Sequence, residues 1–218
     1  MLMILLISSC SGSQELKKPG PSWKMVAGGT HGGIIENTDL DLIQPISPDA
    51  FSGATRVGVQ AGVHYEYPLR RISLEAGMDY FVNSQVFTYQ DDFPRFYGTR
   101  NLVTSQIRFP LAVNFRFFKR VQEDGLLEIR LGLSTGLVFY GLKDHGEQLP
   151  SYTSYLFSMG PLLGADLFPF HFESGSALGF SFELSRSFQK AYDDYYQVGE
   201  MPGASYLKFG LVYRLKRK

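Results

Sequence analysis

Apolar and polar residues alternate with a period of two through eight segments of this 218-residue chain. The last segment, Tyr206 to Lys216, reads YLKFGLVYRLK. Leu207, Phe209, Leu211, Tyr213 and Leu215 share one face, and Tyr206, Lys208, Gly210, Val212 and Arg214 share the other. A period of two is the signature of a strand, and about 9–11 residues let a tilted strand cross a bilayer. The other segments are 23–33, 55–67, 72–86, 103–117, 126–140, 155–168 and 177–188. Each sets Val, Leu, Ile, Phe and Tyr against Gly, Ser and charged residues. The pattern predicts an all-β fold, an eight-stranded antiparallel up-and-down transmembrane β-barrel, with the apolar faces toward lipid and the charged faces in the lumen. A soluble eight-stranded ligand carrier would show the reverse, an apolar interior under a polar exterior.

The connections alternate in length. Those at 34–54, 87–102, 141–154 and 189–204 are long, and those at 68–71, 118–125 and 169–176 are short. Long extracellular loops and short periplasmic turns are the rule for outer-membrane barrels, and an even strand count returns both termini to the periplasmic side. Charge follows the same division. The long loops carry eleven acids and four bases, whereas the turns and both ends carry nine bases and four acids. The formal net charge of zero therefore hides a molecule that is acidic outside and basic inside. The 18 Phe and 13 Tyr suit two aromatic girdles, and many of the 23 Gly fall on lumen-facing positions. Beyond the N-terminus no run approaches the roughly 20 apolar residues of a spanning helix.

Residues 1–9, MLMILLISS, form a short apolar run ending in small residues, as in a signal peptide. Ile7-Ser8-Ser9-Cys10 resembles a lipobox, which makes Cys10 a candidate lipidation site. It is the sole cysteine, so no internal disulfide forms. Residues 10–22 read as a periplasmic tether, and 23–218 as the barrel domain.

Gly58–Tyr67 (GVQAGVHYEY), Ile72–Tyr80 (ISLEAGMDY), Ser105–Phe115 (SQIRFPLAVNF) and the closing LKFGLVYRL together resemble the small outer-membrane β-barrel domain common in Bacteroidota, often called PorT-like. Phe109-Pro110-Leu111 resembles that family's Ile-Pro-Leu element in its fourth strand. The resemblance covers about residues 23–216. It implies an outer-membrane location and eight antiparallel strands, and it brings no catalytic residues with it. Some relatives serve secretion and gliding machinery. Apart from the resemblance, Pro110 in a strand interior suggests a bulge.

The inward positions hold the acids Glu66, Glu75, Asp79, Glu128, Asp166 and Glu183 and the bases Lys24, Arg56, Arg108, Arg116, Arg130, Lys208 and Arg214. Buried charges are tolerated when they pair and hydrogen-bond. An eight-stranded barrel is only wide enough for its own side chains, so this set predicts a salt-bridged plug rather than an open pore. The four histidines form no metal-ligating spacing, and no metal or cofactor is expected. Lys143-Asp144-His145-Gly146-Glu147 reads as a solvated loop tip. His64 near Glu66 is the one start toward the Ser–His–carboxylate chemistry of outer-membrane lipid A-modifying hydrolases and acyltransferases, the alternative to a structural or interaction role. Asp91, Asp92, Phe96 and Tyr97 in one long loop, and Asp193, Asp194, Tyr195 and Tyr196 in another, join an acid pair to clustered aromatics. These residues are extracellular binding candidates, with loops three and seven converging over the barrel mouth. Outer-membrane lipid and a protein partner in the envelope are the expected contacts. Acidic loops argue against nucleic acid.

Overall fold

Alternation along each segment becomes a wall with two faces in the structure, a computed structural model that describes residues 20–33, 50–69, 72–92, 95–117, 127–146, 152–190, 192–194 and 203–216. The signal segment, Cys10, most of the tether, Tyr195 and Tyr196 lie outside the described residues. Only the backbone is described for Asp91, Asp92, Phe96, Tyr97, Asp193 and Asp194. The strands are β1 (Ser22–Gly33), β2 (Ala50–Thr55), β3 (Gly58–Leu69), β4 (Ile72–Asp92), β5 (Arg95–Phe117), β6 (Leu127–Gly146), β7 (Tyr152–Ser154), β8 (Phe157–His171), β9 (Ala177–Lys190), β10 (Tyr192–Asp194) and β11 (Gly203–Lys216).

Eight of them close a ring. β1 pairs with β3, β3 with β4, β4 with β5, β5 with β6, β6 with β8, β8 with β9, β9 with β11, and β11 with β1, all antiparallel. Closure leaves no sheet edge around the barrel itself, as a wall facing hydrocarbon requires. The first and last strands meet with Ser22 opposite Lys216, so both ends of the barrel domain lie at one end of the barrel. The pairings Leu69↔Ile72, Phe117↔Leu127 and His171↔Ala177 end at that same side.

Parity holds along the wall strands except at the β8 bulge between Leu167 and Phe170, where Phe170 turns outward. Leu111, Leu131, Leu184 and Leu211 are exposed on the outside, while Glu66, Asn114, Glu128 and Asp166 have no measurable exposure within. Such a molecule is stable in lipid rather than in water. At the terminal end an aromatic belt includes Trp23 packed edge-on against Tyr65 at 5.1 Å, and Phe172 against Tyr213 at 6.4 Å.

Three features depart from the sequence reading. The segment 87–102 is not a loop, because β4 and β5 run on as one hairpin until Asp92 stands opposite Arg95. β6 follows to Gly146 beside Gly98, and β2 flanks β4 from Ala50 to Thr55. The sheet thus continues past the barrel on one side, as a four-stranded wall. The expected bulge at Pro110 is also absent: the register is the same at Ala76↔Leu111 and Asp79↔Arg108, which puts Pro110 across from Gly77. Instead, a bulge lies between β2 and β3. From Thr55↔Gln85 to Val59↔Val82 one side advances one residue more than the other.

Candidate functional site

Inward side chains fill the barrel in layers. At the terminal end Val26, Phe168, Ala177 and Val212 form a small apolar stopper. The Arg214 guanidinium lies 3.9 Å over the Phe168 ring and joins this stopper to the charged layer above.

That layer centres on Lys24. Register places Glu66 directly opposite Glu75, and Glu128 directly opposite Asp166. Like charges facing each other across strands are unfavourable. Lys24, reaching in from β1, relieves both pairs. Its Nζ lies 2.8 Å from Glu75, 2.8 Å from Glu128, 3.2 Å from Asp166 and 3.8 Å from Glu66. Three arginines bracket the same four acids. Arg116 donates to Glu66 at 2.7 Å and Glu128 at 3.0 Å. Arg130 donates to Glu75 at 3.1 Å and lies 3.3 Å from Asp166. Arg214 contacts Glu128 and Glu66. The remaining acceptor positions are met by Asn114 to Glu75 at 2.7 Å, Ser181 to Asp166 at 2.7 Å, Ser22 to Glu66 at 3.1 Å, and Ser73 to Glu66. Small residues make room for the long ones. A Cβ at Gly77 would collide with the His64 ring.

Above this layer His64 sits between two carboxylates, Nδ1 at 2.8 Å from Glu75 and Nε2 at 2.7 Å from Asp79. Asp79 and Glu183 share Lys208, at 2.9 and 2.8 Å. Arg108 donates to Ser185 at 2.6 Å and to Gln106 at 3.0 Å, and it packs 5.0 Å from the centre of Phe81 and 5.2 Å from that of Tyr206. Next to Tyr206, between Gln85, Leu102, Thr104 and Tyr140, a void of about 10 Å³ remains. That is no more than the space of one water.

Twelve of the thirteen predicted inward residues therefore come together, six acids and six bases. Arg56 is the correction. It is exposed in the gap between β2 and β3, where the bulge breaks the alternation that would have turned it inward. Two functional contributors had no signal in the pattern, because Asn114 and Ser181 read as ordinary small polar residues on inward faces. His64 does not pair with Glu66 as a catalytic start. Both ring nitrogens face other carboxylates inside a packed lumen, shielded from lipid. Among the described residues no group of three His, Cys, Asp or Glu is placed to hold a metal.

Beyond the barrel, Lys143, Asp144 and His145 belong to β6 and not to a loop tip, and Asp144 takes a two-pronged ion pair from Arg100 at 2.8 and 2.9 Å. Asp91 and Asp92 stand opposite Phe96 and Arg95 at the crest of the β4–β5 hairpin. Asp193 and Asp194 pair with Thr153 and Tyr152 in the β7–β10 ribbon, so the loop after β9 joins the loop after β6.

No protein-family model matches the chain, and no curated protein matches it in sequence. Solved structures do match. The outer membrane protein OprG of Pseudomonas aeruginosa superposes with a TM-score of 0.51 at 9% identity, over 92% of this chain and 98% of that one. Ail of Yersinia pestis, solved with the heparin analogue sucrose octasulfate, gives 0.43 at 9% identity over 90% and 99%. Neisserial surface protein A gives 0.37 at 12% identity over 91% and 99%. At these identities the likeness to OprG concerns the fold, that of a small outer-membrane β-barrel.

Proposed function

We propose that this chain is a bacterial outer-membrane protein with an interaction role, acting as a surface binding protein or as a subunit of a larger envelope assembly. In this reading both termini are periplasmic, and the four-stranded wall projects outside the cell. The observation that carries the proposal is the contrast between a lumen packed shut with paired charges and a sheet that runs on beyond it. A filled lumen conducts nothing, whereas an extended wall offers surface. Among the described residues, β2 and the upper part of β6 carry no further ladder on their outer edges. Free edges of this kind are sites where partner chains add strands. A role as a lipid-modifying enzyme is disfavoured because His64, the candidate catalytic start, is locked inside the barrel between Glu75 and Asp79.

The acid–aromatic clusters are assigned to the working surface: Asp91, Asp92, Phe96 and Tyr97 at the crest, Asp193 and Asp194 in the ribbon, and Tyr195 and Tyr196 next in sequence. Cys10 is assigned as the lipidated N-terminus of the mature chain. Membership of the PorT-like family remains part of this proposal and rests on the strand motifs and Phe109-Pro110-Leu111. The test replaces Phe96, Tyr97, Tyr195 and Tyr196 together by Ser. Heat-modifiable barrel assembly should persist, because surface connections contribute little to the wall. Recovery of cross-linked partners from native outer membranes should fall. Unchanged recovery would move the binding surface to the periplasmic end, where Arg70, Arg71, Lys119 and Arg120 are the next candidates.

A further inference from the structure

The lipid-facing surface is not evenly convex. Leu131, Leu163, Leu184 and Leu207 are direct cross-strand neighbours on β6, β8, β9 and β11, and they form one aliphatic row across the wall. In the adjoining row, toward the far end of the barrel, the small side chains of Pro161 and Ser205 flank Arg186 on either side. The surface dips there into a groove of about 600 Å³ lined by these residues. Clefts that hold small ligands run to about 300–1,000 Å³. The lining is mostly apolar, with Arg186 on the β9 side and His31 on the β1 side. Arg186 is exposed, occupies an outward position near the far end of β9, and makes no ion pair with any described residue. Arginine on the lipid face of a barrel strand is unfavourable unless it sits at the interface or meets an anion. A planar guanidinium is also the side chain best matched to a phosphate.

We propose that this groove is a lipid site: an acyl chain lies along the aliphatic row, and a phosphate of the outer-leaflet glycolipid rests on Arg186. The choice of leaflet rests on the orientation proposed above, in which the far end of β9 faces outside. The outer leaflet of a bacterial outer membrane is built of phosphorylated glycolipid, so that class supplies both the chain and the anion at this depth.

The site is tested on the purified full-length barrel in detergent by native mass spectrometry. The added lipids are diphosphorylated lipid A, its dephosphorylated form, and phosphatidylglycerol. Binding in detergent does not depend on orientation in the cell, so failure here would leave the orientation reading standing. The parent should retain lipid A in preference to both other lipids. Arg186→Gln should lower retention roughly tenfold, the scale of one lost charge-assisted hydrogen bond. Ser205→Trp should fill the groove and lower retention with the arginine still present. Both variants should keep heat-modifiable assembly. Equal retention of the dephosphorylated lipid by the parent, a comparison that needs no variant, would overturn the proposal. Equal retention of phosphatidylglycerol would overturn the choice of glycolipid.

Discussion

Lys24 shows how one residue sets the terms for its neighbours. The strand ladder forces two acid pairs into facing positions, Glu66 with Glu75 and Glu128 with Asp166. Lys24 alone lies within 4 Å of all four carboxylates. Removing one member of a buried ion network leaves uncompensated charge and costs about 3–5 kcal/mol. Lys24→Met should therefore lower the urea midpoint of the refolded barrel sharply, while Val63→Ala on the lipid side should move it little. Equal shifts would deny Lys24 its central place. The sequence shows which residues face inward, because alternation alone decides that. It does not show who meets whom. Partners depend on the stagger between strands, which a period of two leaves open. Counting six acids against seven inward bases left one base over, and that is Arg56, which sits outside at a bulge.

At the scale of elements, the seam between β1 and β11 closes the barrel. Gly28 stands opposite Gly210 there, and the two backbones approach closely. A Cβ on Gly28 would collide with the Phe209 carbonyl oxygen, and one on Gly210 with that of Ala27. Gly28→Ala and Gly210→Ala should each impair formation of the heat-resistant band, and the double variant more so. Band formation at the parental level in the double variant would place the closing contact elsewhere. Likewise, a side chain at Gly132 would strike the Leu111 carbonyl oxygen on the next strand. Strand ends were the least legible part of the sequence. Inside the bilayer one face must be apolar, so the pattern is sharp. Above it the outward positions turn polar, as at Thr99, Asn101, Lys143 and His145, and the apolar–polar alternation fades although the ladder continues. That is why the β4–β5 hairpin and the end of β6 read as loops.

On the scale of the whole molecule, three properties converge. The barrel is closed, its interior is filled by side chains that neutralise one another, and its sheet rises higher on one side than on the other. The strands that lead into the acidic connections end on the tall side, and those that lead into the basic turns end on the side of Ser22 and Lys216. In the proposed orientation the tall end faces outside the cell and carries the binding surface. Labelling of intact cells with a membrane-impermeant maleimide tests this most directly, using Lys143→Cys in the wall and Glu173→Cys in the turn between β8 and β9. Both positions are exposed in the structure. Strong labelling is expected at position 143, and none at 173 until the outer membrane is permeabilised. Labelling at 173 with protection at 143 would show the barrel inserted the other way up and would contradict the claim.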